Sequence, residues 1–198
     1  MIVGGGTVAA HKAKGLLEGG AGRVRCVAPE FVPVMPPEVE RITATFEPSH
    51  LDGAALVFAA TKSPEVNSDV VKAARERKIP VSRTDAEDDH GDFIVPANWR
   101  AGQIVVSVST GSPTLSRSLR DEIQSSCKSI KQYQQMAELL ARLRPWVLGS
   151  SLDPAQRVNA LFDLATKPAL DVVKQSGGEG LYRWLVEKYP ELKLEKAP

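Results

Sequence analysis

Hydrophobic positions in the first half of the chain come in short runs, two of them followed by a segment with helical spacing. Met1-Ile2-Val3 is an apolar strand that breaks into Gly4-Gly5-Gly6 and continues through helix formers to Leu17. Arg23 to Ala28 predicts a second strand, left through Pro29-Glu30-Phe31. Val32 to Val39 is proline-rich and irregular, and Ile42 to Phe46 alternates as a third strand does. Ala54 to Ala60 is apolar throughout, as in a strand covered on both faces. Thr61-Lys62-Ser63-Pro64 leads from it into an amphipathic helix, Glu65 to about Lys78, and Pro80 to Thr84 is a further short strand. Strands alternating with helices predict a parallel sheet with right-handed crossovers, closing near Pro96.

Beyond that point the period changes. Phe93 to Pro96 and Gln103 to Val108 predict strands, with Asn98-Trp99-Arg100-Ala101-Gly102 between them. Ser112-Pro113 starts a helix, serine as its cap and proline in the first helical position. Leu115, Leu119 and Ile123 then fall on one side, with Arg117, Arg120, Asp121 and Glu122 elsewhere. So small a unit cannot bury a core alone, and pairing with a second copy is expected. From Ser129 onward the pattern is helical. Ile130, Tyr133, Met136, Leu140, Leu143 and Val147 form a stripe. Asp153-Pro154 caps a helix carrying Val158, Leu161, Phe162 and Ala165. Gly177-Gly178 breaks the chain before Leu181, Trp184, Leu185 and Tyr189, aromatics that read as core. No internal repeat and no low-complexity tract is visible.

Composition narrows the function. Of 198 residues, 42% are hydrophobic and 25% charged, as in an ordinary globular protein of one domain and a smaller second one. A formal net charge of +1 gives no bulk attraction to nucleic acid or membrane, and neither partner is expected. Cys26 and Cys127 lack metal or redox spacing, and Cys26 reads as a reduced core thiol. Glycines interrupt the N-terminus at once, so no signal peptide is read. The longest apolar run, Ala54 to Ala60, is too short to cross a bilayer, and a cytoplasmic location is expected.

The glycine turn is where chemistry enters. Gly4, Gly6 and Ala9 fit the dinucleotide fingerprint G-x-G-x-x-A. Gly4 permits the turn, Gly6 lets the backbone approach a pyrophosphate, and Ala9 allows close helix–strand packing. The free N–H groups of that first helical turn, Thr7, Val8 and Ala9, face the phosphates. Pro29 and Glu30 leave the second strand where such a fold meets the adenosine ribose. Glu30 is displaced from the usual carboxylate slot, near Ala28, and no arginine follows the strand to hold a 2′-phosphate. The expected cofactor is NAD in preference to NADP. The predicted architecture is α/β: a Rossmann-type parallel-sheet NAD-binding domain over 1–96, a small α+β dimerisation segment over 97–126, and a C-terminal helical domain over 127–198.

In order and spacing these segments resemble the precorrin-2 dehydrogenase family, the dehydrogenase part of siroheme synthases. The resemblance is carried by Val3 to Ala9 with Lys12, Val27 to Glu30, and Ala59-Ala60-Thr61 with Asn67. Val81 to Asp85, Phe93 to Pro96, and Val106 to Gly111 with Ser112-Pro113 complete it. It runs from residue 1 to about 125, and the helical remainder agrees in character. It implies NAD-dependent oxidation of the tetrapyrrole precorrin-2 to sirohydrochlorin by a homodimer whose middle segments pack on each other. The implied site lies between the nucleotide domain and the dimer region. Thr61 joins the cofactor-binding set. Ser109, Thr110, Gly111 and Ser112, with Arg117, form a substrate-binding set suited to a polycarboxylate. Some members also insert iron to give siroheme, and the fused methyltransferase domain of certain members has no room in this length. Asp85 matches the family's essential aspartate at a strand's carboxyl end, where a carboxylate can take the proton that leaves alongside the hydride.

Three departures from the family pattern stand out. Only three residues precede Gly4, so the central strand is expected to be short or the start mis-assigned. Lys62 stands where an acid is usual, and Thr110-Gly111-Ser112-Pro113 lacks extra residues before Ser-Pro.

Other readings compete. His90 among Glu87, Asp88, Asp89 and Asp92 has metal-ligand chemistry, but acids clustered on a glycine-containing loop are ordinarily solvated, and no metal site is expected. His11 and His50 carry no role. Tyr189-x-x-x-Lys193, the short-chain dehydrogenase pattern, contains the helix breaker Pro190 and is rejected. The alternative of another class is an NAD-sensing regulatory module, which needs the fingerprint but neither Asp85 nor a second anion-binding helix start.

Overall fold

Ile2–Val3 (β1) is a strand of two residues, yet it is the middle one of five. In the computed structural model, which describes residues 1–85 and 89–192, β1 lies between β2 (Arg25–Ala28) and β4 (Val57–Ala59). With β3 (Glu40–Thr43) and β5 (Val81–Arg83) the order is β3-β2-β1-β4-β5, every pairing parallel. Ile2 stands opposite both Cys26 and Phe58, and Val3 opposite Val27 and Ala59.

Successive side chains alternate between the faces of a strand, and here both faces are covered. Ile2, Cys26 and Phe58 meet Ala9, Ala10 and Ala13 of α1 (Thr7–Glu18). Val3, Val27, Val57, Ala59 and Val81 meet Val70, Val71, Ala73 and Ala74 of α2 (Pro64–Glu76). Burial on both faces is why these strands read as unbroken apolar runs. Alanine on α1 keeps that helix close to the sheet.

The chain divides into two units, Met1–Val95 and Pro96–Pro198. Within the first, pairing moved two predicted strands. The third is Glu40–Thr43, not Ile42 to Phe46, because its partner β2 ends before Pro29 and sets the register from Arg25↔Glu40 to Ala28↔Thr43. Only Val57–Ala59 of the run Ala54 to Ala60 joins the ladder. Phe93 to Pro96 is not a strand: the Phe93 ring plugs the core edge-on against Phe58, centroids 5.5 Å apart.

The second unit begins with the strand that the prediction had read as a loop. β6 (Ala97–Ala101) pairs antiparallel with β7 (Ile104–Val108), from Ala97↔Val108 to Ala101↔Ile104. Gly102-Gln103 connects them, Gly102 at φ 59° supplying the positive angle a two-residue hairpin loop needs. α3 (Pro113–Ser126) packs on this hairpin. α4 (Ile130–Leu148), α5 (Pro154–Asp163) and α6 (Lys167–Lys188) then form a helical core. Its α4 stripe is Met136, Leu139, Leu143 and Val147, so Leu139 replaces the predicted Leu140 and Tyr133 is exposed. On α5 the buried positions are Ala160 and, at its end, Leu164, while Val158 and Phe162 are exposed. The expected break falls at Gly177, whose φ of 65° and ψ of −159° interrupt α6. A Cβ on Gly178 would stand 2.7 Å from Leu139 Cδ2, so α6 approaches α4 closely there. Among the described residues no helix is long and apolar enough to cross a membrane.

Candidate active site

The three glycines after β1 do different work. A Cβ on Gly4, at φ 135°, would lie 2.3 Å from the carbonyl oxygen of Ala60. One on Gly5 would lie 1.8 Å from that of Glu30. Gly6, at φ −83°, has nothing within 4 Å of its would-be Cβ. The fold therefore demands glycine at 4 and 5 and leaves Gly6 unexplained by any internal contact. Gly6 is the cap residue of α1 and gives it no side-chain hydrogen bond, and the first turn carries no acid. Thr7 and Val8 are exposed and Ala9 is fully buried. The result is an uncapped helix start facing open space, the arrangement that suits an anion. Gly5, missed in the fingerprint, was signalled only by three glycines standing together.

Pro29 and Glu30 are exposed beyond β2, and it is the Glu30 carbonyl that closes on Gly5. Lys62 is exposed, and Lys12 holds its Nζ 5.6 Å from the Phe58 ring centroid.

Thr61 leaves β4 into a turn clamped from inside. Its N–H donates to Asn67 Oδ1 at 3.0 Å, its Oγ1 lies 2.8 Å from the same oxygen, and Asn67 Nδ2 returns a bond to Thr61 O at 3.2 Å. Thr61 Oγ1 also bonds Ser63 O at 3.0 Å and accepts from Ser63 N–H at 3.1 Å, while Ser63 caps α2. Asn67 is fully buried. The predicted substrate set is built in the same way. Thr110 N–H donates to Ser116 Oγ at 2.9 Å, and Thr110 Oγ1 lies 2.9 Å from that hydroxyl. Thr110 Oγ1 donates to Ser112 O at 2.8 Å and accepts from Ser112 N–H at 3.2 Å, and Ser112 caps α3. Thr61-x-Ser63-Pro64-x-x-Asn67 and Thr110-x-Ser112-Pro113-x-x-Ser116 are thus one turn used twice, a short repeat the sequence reading missed. The signal was the shared Thr-x-Ser-Pro, hidden because the buried seventh residue is asparagine in one and serine in the other. Ser109, Gly111, Ser112 and Arg117 are exposed.

Asp85 lies two residues past β5, at the carboxyl end of the sheet. Arg83 grips it with both arms, Nε to Oδ1 at 2.7 Å and Nη2 to Oδ2 at 3.2 Å. The two side chains are 13% and 22% exposed, each shielding part of the other at the surface. This bidentate contact, helped by Asn67, holds the Asp85 carboxyl below the usual carboxylate range. Arg83 was not singled out from sequence, because a pairing across two residues at a strand's end has no spacing signature.

Of the acidic cluster around His90, Glu87 and Asp88 lie outside the described residues. Asp89 and Asp92 both pair with Arg75, at 3.1 and 3.4 Å, and Asp92 also accepts from Val81 N–H. His90 is exposed and lends its carbonyl to Arg83 N–H. His50 caps a 3-10 turn with Glu47, and His11 is exposed. Tyr189 ends α6, and Lys193 lies outside the described residues.

Residues 1–97 match the family described as "Putative NAD(P)-binding". The siroheme synthase of Methylobacillus flagellatus is 36% identical over 151 residues, covering 73% of this chain and 32% of that protein. The siroheme synthase of Methylococcus capsulatus is 35% identical over 194 residues, covering 94% of this chain and 40% of the relative. Siroheme synthase 2 of Aeromonas hydrophila is 32% identical over 203 residues, covering 98% and 42%. The chain thus spans less than half the length of these relatives. Among solved structures, SirC, precorrin-2 dehydrogenase, has the same fold, with a TM-score of 0.73 at 21% identity over 95% of this chain and 93% of that one. The chain belongs with these siroheme synthases in one family, and it shares the fold of a precorrin-2 dehydrogenase.

Proposed function

We propose that this chain oxidises precorrin-2 to sirohydrochlorin with NAD as the acceptor. The observation that carries the reading is Gly6: a glycine the fold does not need, at an uncapped helix start, at the carboxyl end of the central strand. A pyrophosphate is the ligand that gives it a purpose. Bound NAD supplies the hydride acceptor. Gly4, Gly6, Thr7, Val8 and Ala9 form the phosphate turn, Pro29 and Glu30 stand beside the adenosine ribose, and the clamped Thr61 turn borders the cofactor. The absence of an arginine directly after β2 supports NAD over NADP.

Asp85 is the residue assigned to the chemistry. It comes from the carboxyl end of β5, the edge at which open α/β sheets bind their ligands. In the second unit, Ser109, Thr110, Gly111 and Ser112 with Arg117 offer hydroxyls, backbone N–H groups and a guanidinium to the carboxylates of the tetrapyrrole. The working form is a homodimer. Leu115, Leu119 and Ile123 leave one side of α3 56%, 38% and 37% exposed, a continuous apolar strip that a second copy would cover. Iron insertion finds less support, because Asp89 and Asp92 beside His90 are engaged by Arg75.

The test is anaerobic incubation with precorrin-2 and NAD, following sirohydrochlorin by absorption. Stoichiometric NADH and sirohydrochlorin are expected. No turnover with intact NAD binding would leave only the sensing module.

A further inference from the structure

We propose that Arg83 is a positioning residue for Asp85: braced on α2, it holds both carboxylate oxygens so that the group serves substrate N–H donors as a fixed acceptor and does not take the departing proton. This rests on the assignment of Asp85 to precorrin-2 oxidation.

The geometry of Arg83 is that of a bracket. Nε and Nη2 hold Asp85, Nη1 donates to Ser68 Oγ at 2.9 Å, and Nη2 also reaches Pro64 O at 3.1 Å. Ser68 Oγ is itself tied to Pro64 O at 2.8 Å, so the far side of the guanidinium rests on the first turn of α2. That turn begins at the Ser63 cap and carries Asn67 of the Thr61 clamp. One side chain therefore links the cofactor-side turn to the carboxylate. A guanidinium's planar fork fixes orientation as well as charge. Each carboxylate oxygen has two lone pairs. Arg83 occupies one on each oxygen and leaves others for a ligand.

The same contacts argue against proton abstraction. A base works best when its conjugate acid titrates near the working pH, and Arg83 pushes Asp85 the other way. Among the described residues, the groups facing Asp85 are Arg83 from its own strand and Asn67 from α2, both favouring the anion. Asp89 acts on Arg83, strengthening its charge. In the oxidation two hydrogens leave the tetrapyrrole, one as hydride to NAD and one as a proton, which passes to water.

The two roles predict opposite signs. If Asp85 were the base, removing Arg83 would raise its basicity and the rate. As a held acceptor, it would be released and the rate would fall. The experiment is kcat and KM for precorrin-2 and for NAD in the parent, Arg83→Gln, Arg83→Lys, Ser68→Ala and Asp85→Ala. Arg83→Gln is expected to lose about tenfold or more in kcat, as small misplacements do, with KM for NAD unchanged. Arg83→Lys and Ser68→Ala should fall between it and the parent. A kcat for Arg83→Gln equal to or above the parent's overturns the proposal while leaving the proposed oxidation intact.

A second measurement needs no turnover. Carboxyl-carbon NMR follows Asp85, identified by the resonance lost in Asp85→Asn. Its titration midpoint should rise in Arg83→Gln and, if that variant does not fold, in Arg83→Lys. An unchanged midpoint overturns the clamp whatever the activity. Inactivity of the parent would refute the proposed oxidation.

Discussion

The carbonyl oxygen of Glu30 lies 1.8 Å from where a Cβ on Gly5 would begin. The loop leaving β2 is drawn across the glycine turn and fastened there by Val32 N–H donating to Gly5 O at 2.9 Å. Gly5→Ala is expected to destabilise the first unit by about 2 kcal/mol or more, since backbone must move. Gly6→Ala should change stability by no more than about 0.5 kcal/mol, because it meets nothing. Gly6→Asp should fold and lose NAD. Thermal melts separate the first two, and calorimetry decides the third. NAD bound as tightly by Gly6→Asp as by the parent would move the site elsewhere.

The paired turns make a second prediction. Asn67→Leu leaves the N–H and hydroxyl of Thr61 without their buried partner and should cost about 1–3 kcal/mol. Ser116→Ala removes the corresponding partner of Thr110 and should cost a similar amount. Urea unfolding of each variant checks this. A neutral result for both would show that the clamps add nothing to stability.

Asp85→Ala is expected to keep the fold and NAD affinity while lowering precorrin-2 oxidation by about 10²-fold, as the loss of a substrate-positioning contact does. Asp85→Asn should be similarly poor, because the amide offers one acceptor oxygen where Arg83 requires two. Full activity in either variant would remove Asp85 from the chemistry.

Alkaline pH should loosen the second unit in a defined window. Tyr189 Oη donates to Asp163 Oδ2 at 2.6 Å, and Lys188 Nζ stands 2.8 Å from the same oxygen. Burial, and then the Asp163 carboxylate, push the Tyr189 phenol up to about 12. Above its ordinary value of 10 the unfolded chain releases that proton while the folded chain keeps it. Its stabilising effect is thus complete below pH 10 and lost as pH rises toward 12. Tyr189→Phe should abolish that part of the pH dependence in circular-dichroism melts. An unchanged slope would show that the phenol does not couple to folding.

The α3 strip predicts the oligomer. Sedimentation at micromolar concentration should give about twice 21.4 kDa for the parent. Leu115→Glu with Leu119→Glu should give a monomer. A monomeric parent would refute the dimer.

What the residues alone determined was local and periodic. Apolar runs separated by helical spacing gave the parallel sheet, Ser112-Pro113 and Asp153-Pro154 gave two helix starts, and Gly4, Gly6 and Ala9 marked the turn proposed for the nucleotide. These follow from interactions within a few residues, so a linear reading holds them. Strand limits did not follow, because partners set them: β3 stops where β2 stops, and β6 exists because Gly102 turns Ala97–Ala101 back onto β7. Which face of α5 is buried was likewise decided by the helices around it, which left Phe162 72% exposed. The clamps on Thr61 and Thr110, and above all the Arg83 bracket that joins β5 to α2, arise only in three dimensions. A hydrogen bond between residues 15 apart, such as Arg83 to Ser68, is created by the crossover that brings a strand's end against a helix's start, and no spacing rule in the chain announces it.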